Sequence, residues 1–201
     1  HFYSSKREEE EQYQESHPDD PYWQFVSEID QHSSGSLEQY LRGMLESMGL
    51  RSKADLVIAY LNIFQVGFVD EDTNANPLSN YELLEFIGDL AAWKPLNDIF
   101  LEYTESHGIQ LTEPVITSMH RSFASKEKQA QVAKQLHLYV FLKKKGEVTI
   151  DTYEDLFEAF VGSLFLTNFH LRALLSVDLR LHEVFLRWVY SSWDLSGYVE
   201  K

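Results

Sequence analysis

Residues 154–166 read EDLFEAFVGSLFL, and this stretch constrains the fold more than any other. Its apolar residues recur at the spacing of an α-helix. With Asp155 set at zero, Glu158 falls at about 300° and Gly162 at about 340°, while Leu156, Phe157, Phe160, Val161, Leu164 and Phe165 surround the rest of the cylinder. A helix this apolar is expected to be buried on most of its surface. Its acids then point into a restricted space. A buried carboxylate without a partner is costly, so each must be protonated, paired with a cation or bound to a metal. No Arg or Lys of the same segment recurs at helical spacing from Asp155 or Glu158.

A second acidic helix is expected from Tyr81, where the chain reads YELLEFIGD. Glu82, Glu85 and Asp89 share an arc of about 60°. Leu83, Leu84, Phe86, Ile87 and Leu90 are expected to fill the other side, as a face wide enough for both a core and a partner. Gly88 lies near the acidic edge, where a missing side chain lets another backbone come close. Taken alone, the stripe reads more readily as a solvated face, because like charges at i, i+4 cost only a few tenths of a kcal/mol. Two such helices facing each other across a divalent ion would resolve the charge. Mg²⁺ takes oxygen ligands and suits carboxylates carried on helices.

The rest of the chain is patterned the same way. SLEQYLRGMLESMGL has a Ser start and a Gly near its end, and SKADLVIAYLNIFQVGF follows as a second helix. A polar loop, DEDTNANPLSN, leads to Ser79 or Asn80, either of which can cap the helix from Tyr81. Pro95 predicts a kink or a break in that helix. EPVITSMHRSFASKEKQAQVAKQLHLYVFL reads as two helices, and LRLHEVFLRWVYSSWDL as a last amphipathic one. No strand pattern competes, so the expected class is all-α, a helical bundle. Residues 1–35 are assigned to an acidic, flexible N-terminal extension, in which PYWQFVSEI supplies aromatics able to dock. Residues 36–175 form the main domain and 176–201 a C-terminal amphipathic helix.

Composition excludes several functions. The chain contains no cysteine, which removes disulfides and thiolate zinc sites. No apolar run reaches the length of a membrane helix, so no membrane is expected as a partner. The formal net charge is −15 over 201 residues, which speaks against strong nucleic-acid binding by this chain alone. No glycine-rich phosphate loop is present, and the His residues show no ligand spacing. The first residue is His and not Met, which fits a trimmed chain as well as a processed precursor, a mitochondrial one among them. An intracellular compartment is expected.

The two acidic segments resemble the ribonuclease III family. Tyr81–Asp89 is similar to its signature N-E-R-L-E-F-L-G-D, and Glu154–Leu166 to A-D-x-x-E-A-L-I-G-x-x-x-L. The stretch MHRSFASKEKQAQVAKQLHLYVFLKKKG is similar to the helix pair between them, so the likeness covers residues 54–168. It implies a ribonuclease III-like endonuclease domain in which Glu85, Asp89, Asp155 and Glu158 are both metal ligands and catalytic. Glu82 matches a further acid of the signature, which implies a catalytic role or a supporting structural one. The resemblance implies Mg²⁺ as cofactor, with Mn²⁺ as a substitute, and double-stranded or structured RNA as substrate. Products would carry a 5′-phosphate and a 3′-hydroxyl. It also implies dimerisation, as a homodimer or with a paralogue. Departures fall beside the ligands: Tyr81 stands where the family has Asn, Leu83 where it has Arg, and Glu154 where it has a small residue. The segment before the signature, YLNIFQVGF, lacks the family's usual character, and the residues after Phe169 are too few for the usual double-stranded-RNA-binding domain.

Lys143, Lys144 and Lys145 form the main basic cluster, expected to contact RNA phosphates. Lys126, with Arg121, Lys128 and Lys134, extends it. Trp188, Tyr190 and Trp193 read as core or interface residues. A non-catalytic alternative stays open: a ribonuclease III-like structural subunit of a ribosome or RNA-processing complex.

Overall fold

The computed structural model describes residues 18–32, 35–69, 81–142 and 147–191. Within them the chain forms eight α-helices and no strand, the all-α class expected from the periodicity. In chain order the helices are α1 (Pro21–His32), α2 (Leu37–Ser47), α3 (Ala54–Val69), α4 (Tyr81–Ser106), α5 (Glu113–Phe123), α6 (Lys126–Gln135), α7 (Ile150–Leu175) and α8 (Leu181–Ser191). Short 3-10 turns at Arg51–Lys53 and Leu138–Phe141 lead into α3 and follow α6. No described helix is long and apolar enough to cross a membrane. The loop at 70–80 with its expected cap, the basic turn Lys143–Lys145 and Trp193 lie outside the described residues.

Helices begin where the sequence supplies an N-cap. Ser36 accepts from the Gln39 amide while the Gln39 side chain accepts from the Ser36 amide, a reciprocal capping box for α2. Thr149 and Thr152 make the same arrangement at α7, Thr112 caps α5, and Ser125 caps α6. α7 ends at Ser176 in the left-handed region. The turn into α8 is then held by the buried Asn168. Its amide donates to Asp178 Oδ1 at 2.9 Å, and its oxygen accepts from the amides of Leu179 and Leu181 at 3.1 and 3.3 Å.

α4 and α7, each of 26 residues, form the central pair. α4 does not break at Pro95, which is buried in a helix that runs through to Ser106. A proline costs a helix one amide donor but does not force its end when packing holds the flanks. α3 and α6 lie on α7, and α8 packs on both central helices. α7 is buried as its sequence predicts, with Leu156, Phe157, Phe160, Val161 and Leu164 all inside.

The chain's two flanking segments belong to this same core. Tyr22, Trp23, Phe25 and Ile29 of α1 are buried, as are Trp188 and Tyr190 of α8. Tyr22 and Phe25 meet Trp188 edge-on, with ring centroids 5.1 and 5.5 Å apart. The Tyr22 hydroxyl donates to Gln135 Oε1 at 2.6 Å. The docking expected of PYWQFVSEI is thus made by a helix inserted into the bundle.

One face of α4 differs from expectation. Phe86 is 64% exposed and Leu90 59%, so neither fills the inner side. The buried stripe is Leu84, Gly88, Ala92, Leu96 and Ile99. At the crossing itself the inner position is Gly88, because α7 approaches too closely there for any side chain.

Candidate functional site

The approach of α7 to α4 is set by two glycines. A Cβ placed on Gly88 would lie 1.7 Å from the Glu158 carbonyl oxygen and 2.9 Å from the Gly162 nitrogen. One placed on Gly162 would lie 2.0 Å from the Leu84 carbonyl oxygen. Neither position can carry a side chain without moving a backbone. Gly88 follows Glu85 by three residues and precedes Asp89 by one. Gly162 follows Glu158 by four. The crossing therefore fixes the acids of one helix against those of the other.

Glu85, Asp155 and Glu158 come together as a result. One carboxylate oxygen from each lies within 4.8 Å of the other two, a group that could hold a metal ion. All three are half-buried. Glu82, Glu85, Phe86, Asp89, Glu154 and Glu158 line one open depression. Glu82 and Asp89 are exposed on its wall, outside the close triad.

The charge is not balanced within the cluster. Burial, and then the charges of Asp89, Glu154, Glu85 and Asp155, push the Glu158 carboxyl up to about 8. Burial, with Asp155 and Glu154 next, pushes Glu85 up to about 7. A carboxyl raised so far holds a proton near neutral pH unless a cation replaces it. The donors are all carboxylate oxygens, which match a hard divalent cation and not a thiophilic one.

Glu154 was not among the residues the sequence assigned to the site. It lines the depression beside Glu158, four residues away on the same helix face. Its signal was the i, i+4 spacing to Glu158, obscured because it reads as a substitution for a small residue. The basic residues are arranged differently from expectation. Lys126 Nζ lies 2.6 Å from Asp151 Oδ1 and 3.1 Å from Glu154 Oε2, bound to acids of α7. Lys128 is buried at 6% exposure and adds nothing to a surface patch. Lys134 Nζ stands 4.8 Å from the centre of the Tyr153 ring.

Comparison with known proteins gives one partial likeness. The chain is 33% identical over 100 residues to a curated ribonuclease 3 of Flavobacterium psychrophilum. The matched stretch is 47% of this chain and 38% of that relative, well under half of its length. No family model matches the chain.

Proposed function

We propose that the chain is a metal-dependent endoribonuclease of the ribonuclease III type, acting on double-stranded or structured RNA. The observation that carries this reading is the convergence of Glu85, Asp155 and Glu158 from two helices onto one point. The likeness to a ribonuclease 3 supports the same direction. Glu85, Asp155 and Glu158 would hold the ion, Mg²⁺ or in its place Mn²⁺. Asp89, on the rim, would complete the set, with Glu82 on the outer wall in support. A divalent ion held there would supply activation of water for attack on a phosphodiester and stabilisation of the leaving 3′ oxygen. The products are then a 5′-phosphate and a 3′-hydroxyl. Lys143, Lys144 and Lys145 contact the RNA backbone in this reading, without reading its sequence. Exposed Phe86 and Leu90 support association through α4, with a second copy or a paralogue.

Incubation with long double-stranded RNA and Mg²⁺ tests the proposal. Short 5′-phosphorylated products are expected from the wild type, and none from Glu158→Gln or Asp89→Asn. Normal cleavage by these variants would sink the site assignment. The formal charge of −15 and the pairing of Lys126 favour a second reading, a structural subunit of a ribonucleoprotein. That reading takes over if the wild type shows neither cleavage nor any shift in melting with Mg²⁺ or Mn²⁺.

A further inference from the structure

α7 carries four acids at i, i+3, i+4 and i+7: Asp151, Glu154, Asp155 and Glu158. They fall within an arc of about 100°, one continuous stripe. Only its C-terminal half converges with Glu85. The N-terminal half is occupied by Lys126, whose ammonium contacts both Asp151 and Glu154. Glu154 belongs to both halves, because it also lines the depression with Glu85 and Glu158. The position of Lys126 is not explained by its own helix. It is the first residue after the N-cap Ser125, where a positive charge opposes the helix dipole. The acids of α7 offset that cost.

We propose that Lys126 is a built-in cation that masks Glu154 and so limits how tightly the acid cluster binds divalent ions. The proposal rests on the metal-binding reading above and adds a regulatory charge to that site. Lys126 divides the stripe: its single positive charge offsets part of the negative charge of Asp151 and Glu154, while Glu158, with Asp155, faces Glu85 across the depression. The charge of Glu154 already reaches Glu158 and Glu85; without the ammonium it acts on the depression unopposed, and a second row of oxygens becomes open to cations. The site then holds a divalent ion more strongly and releases it less readily. A weaker resident ion exchanges more freely, which suits a site whose ligands must also admit a charged substrate.

The test is Mn²⁺ titration at low ionic strength, following the free ion by electron paramagnetic resonance. Lys126→Ala is expected to bind Mn²⁺ on the order of tenfold more tightly than the wild type, because one nearby positive charge has been removed. Lys126→Arg keeps the charge and should match the wild type. Most of the gain should disappear when Lys126→Ala is combined with Glu154→Gln, and it should shrink in high salt as the screening length shortens. Should Lys126→Ala not fold, Lys126→Gln carries the same expectation. Equal or weaker Mn²⁺ affinity in the variant overturns the proposal, including the case where the variant merely melts lower in chelator. A gain that persists undiminished without Glu154 overturns it as well. A wild type that binds Mn²⁺ alongside an indifferent variant defeats this proposal alone. A wild type that binds no Mn²⁺ defeats it together with the reading beneath it.

Discussion

Glu158 and Glu85 tie the stability of the chain to pH. In the folded protein they titrate at about 8 and about 7, against 4.5 for a free glutamate. The folded state therefore holds more protons than the unfolded state between those values. Stability from these two groups is complete below about pH 4.5 and is lost as pH rises through about 7 to 8. In chelator the melting temperature should fall between about pH 5 and about pH 8.5, and Glu158→Gln should flatten that fall. Saturating Mn²⁺ should oppose it, adding about 2.7 kcal/mol at a hundredfold excess over Kd. Differential scanning calorimetry across the range decides the matter. A metal-free melting temperature that climbs with pH would mean that the carboxylates are not crowded as described.

Between elements, the decisive contact is the Gly88–Gly162 crossing. Gly→Ala in an exposed helix is stabilising by about 1 kcal/mol. At Gly88 the new methyl meets the Glu158 carbonyl, so the sign reverses, with a loss of about 1–3 kcal/mol or more. Urea denaturation of Gly88→Ala measures this, and its Mn²⁺ affinity should fall too because Glu85 is moved off Asp155 and Glu158. An unchanged midpoint would refute so close a crossing. The acids of this pair were legible in the sequence because i, i+3 and i+4 spacing puts them on one stripe of each helix. Gly88 was legible as a point of close approach for the same reason. The outward turn of Phe86 and Leu90 was not, because hydropathy says which residues avoid water but not that the inner side has no room for them. The masking of Glu154 was also hidden. It depends on where Ser125 starts α6 in space, and spacing along α7 carries no trace of that.

At the scale of the whole molecule, α4 presents Phe86, Leu90 and Trp93 to solvent, at 64%, 59% and 49% exposure. Large apolar side chains grouped in this way fit the association proposed above. Sedimentation equilibrium at micromolar concentration should give a dimer mass for the wild type and a monomer for Leu90→Glu. A wild type that stays monomeric would exclude self-association through this face. The remaining helices close the molecule on itself. α1 and α8, the first and last of the described helices, interlock where Tyr22 and Phe25 grip Trp188. Tension applied between residues 20 and 190 would therefore load this aromatic clasp together with the packing of α8 on the α4–α7 spine. Fraying from either end has to undo the same knot of rings, so loosening one end of the fold weakens the hold on the other.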